Sequence, residues 1–164
     1  MLRIISTILV FFLSLPLKAQ TVDNTVKMMI QSADSVWIIS HEVTGVYMKD
    51  KQDHSKEVKI VEQGILRRDL IKESVLLNTT DRKLLAAILV RPSMDYRIEM
   101  AKCFFSNHAI VWKKVRKLSY IDVSFSCQRL RESEDVENYL HSFNNRKWKD
   151  LKEFFKQKGV TYEL

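Results

Sequence analysis

Glycine is scarce in this chain: Gly45, Gly64 and Gly159 are the only three. A phosphate-cradling loop or a dinucleotide fingerprint needs several closely spaced glycines so that the backbone can approach the phosphates, and both are therefore excluded. The patterns GxSxG, HExxH and CxxC and an EF-hand loop are missing too, which removes the common catalytic and metal signatures. Proline is limited to Pro16 and Pro92, and no Pro/Gly/Ser linker, internal repeat or low-complexity tract divides the chain. Neither sign of charge dominates: 27 Lys and Arg stand against 20 Asp and Glu, a net charge of +7. That balance allows weak attraction to anionic polymers and argues against a specific nucleic-acid binder.

What is present begins with an export signal. Arg3, an apolar or small-residue run over 4–15, Pro16, and Leu17-Lys18-Ala19 before Gln20 have the layout of a secretory signal peptide over residues 1–19. At about 1.5 Å per residue the run falls short of the ~30 Å hydrocarbon core, so no transmembrane anchor is expected after cleavage near Ala19-Gln20. No cysteine lies at the cleavage point to carry a lipid. A glutamine there resembles the export signals of Bacteroidota-type Gram-negative bacteria, which implies a periplasmic or secreted product. Losing Arg3 and Lys18 leaves 27 − 2 = 25 basic residues and a net charge of 25 − 20 = +5. Residues 20–164 are enough for a single domain with one core.

Along that domain, Val22, Val26, Met29, Ile30 and Ala33 recur at helical spacing behind the capping residue Thr21. Residues 35–41, SVWIISH, read as a strand that continues through a bulge at Gly45 to Tyr47. The charged stretch 48–57 reads as a solvated hairpin tip before the apolar run 58–61. Its Asp50, Asp53 and His54 are metal-ligand types without a recognised fourth ligand. Residues 70–77 alternate as a strand, with Ile71, Val75 and Leu77 on one face. Asn78 to Asp81 then offer caps to a helix striped by Leu84, Leu85, Ile88 and Leu89, which Pro92 ends. Residues 93–102 carry no clear pattern.

A hairpin follows, with strands over 109–113 and 118–126 and a turn between them. Strand parity groups Ile121, Val123 and Phe125 with Cys127 on the core side, opposite Asp122, Ser124 and Ser126. Residues 129–144 read as a polar loop. Asn144 or Asn145 caps a last helix with Trp148, Leu151, Phe154 and Phe155 inward and Lys147, Lys149, Lys152 and Lys156 outward. Lys149 and Glu153 stand four apart as a weak ion pair. Gly159 fits the left-handed position after the helix, with Val160 folding back on Phe155.

Both cysteines lie at the ends of the stretch 103–127, CFFSNHAIVWKKVRKLSYIDVSFSC. In an oxidising compartment an even count points to a Cys103–Cys127 disulfide. In the chain-entropy treatment, closing that loop stabilises the fold by roughly 3.5 kcal/mol. The competing readings use the same atoms: Cys103, His108 and Cys127 as three metal ligands, or His108 as the base for a thiolate. Both need reduced cysteines. His108 beside a carboxylate such as Asp122 or Asp95 in a concave pocket would favour an enzyme, whereas a buried or flat site would favour a scaffold.

Cys103-Phe104-Phe105-Ser106-Asn107-His108-Ala109-Ile110, followed by Tyr120-Ile121-Asp122-Val123-Ser124-Phe125-Ser126-Cys127, resembles a group of small uncharacterised exported Bacteroidota proteins. Their pattern is Cys, Phe or Tyr, any residue, Pro, Arg or His, His, Ala or Gly, Ile, and later Cys-Phe-x-Cys after a hairpin. This chain has Ser106 and Asn107 in place of the proline and the basic residue, and Ser124 in place of the first sulfur of CxxC. The resemblance implies Cys103, His108 and Cys127 as the positions of interest and weakens a redox role. It implies no activity.

The expected architecture is α+β: a mostly antiparallel sheet of about five strands with three helices packed on it. The expected function is an exported, non-enzymatic module that binds a partner protein or cell-envelope component and needs no cofactor. The alternative is a small thiol- or metal-dependent enzyme or hydrolase centred on His108, Cys103 and Cys127.

Overall fold

The computed structural model describes residues 20–47, 59–92, 103–136, 140 and 143–164. In chain order its elements are α1 (Gln20–Gln31), β1 (Ser35–Tyr47), β2 (Val61–Glu62), β3 (Ile65–Leu66), β4 (Ile71–Leu76), α2 (Thr79–Val90), β5 (Cys103–Lys114), β6 (Lys117–Ser124), β7 (Arg129–Glu132) and α3 (Asn145–Gln157). Five strands form one antiparallel sheet in the order β4-β1-β5-β6-β7, and β2 and β3 make a separate two-stranded hairpin. The architecture is α+β, with three helices on the sheet.

One face of the sheet carries the main core. Val36 and Ile38 of β1, Ile110 and Trp112 of β5, and Ile121 and Val123 of β6 meet the buried stripes of the three helices. Alternation along each strand sends the neighbouring residues to the opposite face, where Ile39, Ala109 and Val111 pack under Ile60, Val61 and Leu66. The helix-covered face is thus closed by long amphipathic elements. The other is covered by the short hairpin and the chain beside it.

The helices follow their sequence signals closely. The Asn78 side chain accepts a hydrogen bond from the Asp81 amide at 2.9 Å and caps α2, and Asn144 does the same for the Lys147 amide at 2.9 Å at the start of α3. The buried stripe of α2 includes Ala86 in place of Leu84, which is 49% exposed. On α3 the inward residues are those expected, and Gly159 at φ +84° lets the Val160 amide donate back to the Phe155 carbonyl at 3.1 Å. Lys147 is a correction: it is fully buried, with its ammonium 4.4 Å from the centre of the Phe143 ring. Glu153 accepts from Gln157 four residues on, at 3.2 Å, rather than pairing with Lys149.

The strands depart from expectation in four places. β1 does run to Tyr47, but its register against β5 slips between Ser40 and Thr44, not at Gly45. The slip against β4 falls between Ser40 and His41, and it places Ile71 with the hairpin-side cluster while Val75 packs on the helix side. The fifth strand of the sheet is β7, from a stretch that reads as a polar loop, whereas the apolar run ending at Val61 enters the small hairpin. β5 begins at Cys103, and β6 ends at Ser124, so Cys127 lies in the following turn and strand parity does not set its direction. The expected solvated tip, with Asp50, Asp53 and His54, and the segment holding Asp95 lie outside the described residues.

Candidate functional site

Cys103 and Cys127 form a disulfide with their Cα atoms 5.9 Å apart. It ties the first residue of β5 to the turn between β6 and β7. Cys127 is buried and Cys103 partly so. Sulfurs joined to one another are not thiolates, so the metal and thiol-catalysis readings find neither of their sulfur ligands here. Among the described residues no group of three or more His, Cys, Asp or Glu side chains comes together to hold a metal.

His108 sits on β5 opposite Ser40 of β1 and Val123 of β6. It is 1% exposed, and its ring meets Phe125 and Phe155 edge-on at centroid distances of 5.0 and 5.6 Å. Burial pushes its pKa down to about 4, partly opposed by a hydrogen bond to the Tyr162 backbone. Its Nε2 has no hydrogen-bond partner among the described residues.

The chain end is held nearby through Glu73. That carboxylate accepts from Ser40 Oγ at 2.6 Å, from the Thr161 and Tyr162 amides at 2.9 and 3.0 Å, and from Thr161 Oγ1 at 3.2 Å. Burial opposes its ionisation, but these donors outweigh burial and hold its pKa below the ordinary value. The C-terminal residues are thereby latched to the sheet beside His108. The imidazole is a neutral ring in an aromatic box, without the concave opening that a general base needs.

Asp122 faces another histidine. Its Oδ1 lies 3.4 Å from His41 Nε2 and also accepts a short hydrogen bond from Ser106 Oγ. His41 Nδ1 donates to the Glu42 carbonyl at 2.7 Å. His41 and Ser106 are fully buried and Asp122 is 3% exposed. The cluster has the members of a hydrolytic triad in an unproductive order: the hydroxyl donates to the carboxylate, and no imidazole nitrogen faces it to act as base. Its place explains it. The slip in β1 between Ser40 and Thr44 leaves His41 without a partner on β5, and its ring reaches across to Asp122 of β6. Sequence reading had no signal for this contact, because only the bulge brings His41 to Asp122.

Among the described residues, two hollows at the surface bear on function. A cleft of about 1020 Å³ runs between the β2–β3 hairpin and strands β6 and β7, with Leu118 and Tyr120 lining it among Lys59, Glu62, Arg131 and Glu134. The Arg131 guanidinium stacks 4.4 Å over the Phe104 ring. At the cleft's end, Asp135 accepts from Ser119 at 2.6 Å and Ser133 at 2.8 Å and pairs with Lys117 at 3.0 Å. Burial opposes its ionisation, yet these contacts prevail and keep its pKa below the usual carboxylate range. The second hollow, about 710 Å³, lies between α1 and the β5–β6 hairpin. Comparison with protein-family models, curated proteins and solved structures yields no match.

Proposed function

We propose that the chain is an exported, non-enzymatic module that binds a partner protein or cell-envelope component, with the Cys103–Cys127 bridge as its staple. The observation that carries this reading is the cleft between the hairpin and β6–β7. It is large enough for a partner's side chains and presents an aromatic and aliphatic wall with acidic and basic groups of both signs. A mixed rim of this kind suits a protein surface better than a polyanion, whose phosphates favour basic groups alone. The bridge supports export, since such bonds persist in oxidising compartments. Among the described residues no helix is long and apolar enough to cross a membrane. What weighs against the enzyme alternative is that its sulfurs are joined and its imidazole is enclosed.

The test places a photo-crosslinking residue at Glu134 in the cleft or at exposed Lys149 on α3 in the native cell envelope. A discrete adduct from position 134 and none from 149 is expected. Equal labelling from both positions, or none from 134, contradicts the proposal. Mass spectrometry of the same material is expected to give a chain beginning at Gln20 with no alkylatable thiol.

A further inference from the structure

The hollow between α1 and the β5–β6 hairpin shares only Lys117 and Asp135 with the cleft, and its chemistry differs. Met28 and Met29 of α1 and the buried Trp112 of β5 line it. Met28 is 60% exposed, a large apolar side chain left at the opening of an apolar hollow. Methionine is unbranched and polarisable, and it adapts to irregular apolar bodies.

Two ammonium groups stand at the rim, in different states. Lys117 is neutralised by Asp135, whose carboxylate is also taken by Ser119 and Ser133. Lys114 donates to the Ser32 hydroxyl at 2.9 Å, a neutral group, and among the described residues it pairs with no carboxylate. Asp34, whose Oδ2 accepts from the Val115 amide at 2.6 Å, forms no ion pair with Lys114. An apolar hollow of about 710 Å³, with an ammonium at its mouth that pairs with no carboxylate among the described residues, falls in the size and chemical range of small-molecule sites.

We propose that this hollow binds an anionic amphiphile, with its apolar body on Met28, Met29 and Trp112 and its carboxylate or similar head on the Lys114 ammonium. The inference stands independently of the protein partner at the cleft. A free acid and a membrane lipid would offer the same chemistry, and the site is read as one for the free molecule, because the apolar surface is a hollow rather than a ridge.

The test uses the full mature chain with its bridge intact and 13C-methyl methionine, read by NMR during titration with octanoate, with octanol, and with phosphatidylglycerol vesicles. Saturable shifts of the Met28 and Met29 methyls with octanoate are expected. Affinity should be about tenfold weaker for octanol, and also for octanoate with the Lys114→Gln chain, since each removes one charge-assisted contact. Three results would overturn the proposal. The first is no saturable shift with octanoate. The second is equal binding of octanoate and octanol, or movement of Met48, Met94 and Met100 in step with the other two, which marks non-specific association. The third is a response to vesicles alone, which would make the hollow a membrane-docking surface.

Discussion

The sheet buries two histidines by opposite means. His108, on the helix-covered side, is enclosed by Phe125 and Phe155 and held neutral by desolvation. His41 is met by the Asp122 carboxylate on one nitrogen and the Glu42 carbonyl on the other. The helix side seals a polar ring with apolar surface. Around Asp122 a buried ring keeps one hydrogen bond, to the Glu42 carbonyl, and stands 3.4 Å from the carboxylate, at the point where β1 and β5 lose register. A buried histidine is thus not by itself a sign of chemistry, since its neighbours decide whether the site is an aromatic box or a hydrogen-bonded joint. Neither arrangement leaves a reactive atom open to solvent.

The bridge binds the strand that carries His108 to the turn following the strand that carries Asp122, so its loss is the largest perturbation expected. Replacing both Cys103 and Cys127 by alanine should lower unfolding free energy by roughly 3.5 kcal/mol. A loss below ~1 kcal/mol in urea unfolding would mean that the strands hold without it.

Next is the acid response of His108. Its folded pKa of about 4 lies below the ordinary 6.5, so between those values the unfolded chain binds more protons than the native one. Its contribution is therefore complete above pH 6.5, declines as pH falls, and is gone by about pH 4. The loss amounts to about 3 kcal/mol at ~1.4 kcal/mol per pH unit. His108→Phe should flatten this part of the stability curve. The depressed carboxyls of Glu73 and Asp135 act lower, as pH falls below their ordinary values of 4.5 and 3.8.

A smaller effect is expected at the other histidine. Asp122→Asn keeps the shape but removes the charge that faces His41 and accepts from Ser106, at a cost of about 2 kcal/mol. An unchanged urea midpoint for this variant would contradict the distinction drawn between the two histidines.

Much of this fold is legible in the sequence, for identifiable reasons. The α3 stripe, its Asn144 cap and its Gly159 ending are local signals, and local geometry realises them. The bridge is expected from an even cysteine count in a chain whose first residues read as an export signal. β7 is hidden because Arg129-Leu-Arg-Glu132 lies at a sheet edge with all four residues half-buried, so it lacks a clean alternation. Lys147 reads as surface because lysine is almost never fully buried, and its burial against the Phe143 ring depends on tertiary packing. The His41–Asp122 contact depends on a register slip, which period-two patterning does not encode. His108 stood out by residue type, but its enclosure depends on Phe155 and on the latched chain end, both distant in sequence.

The account turns on His108 being a structural ring rather than a reactive one. NMR titration of its imidazole resonances in the folded, bridged chain measures this directly. The account predicts that His108 in the intact fold stays largely neutral through pH 5 and reaches its midpoint only near pH 4. A reversible titration near 6.5 in the intact fold would contradict it, since it would place a solvent-reachable base at the centre of the Cys103–Cys127 stretch.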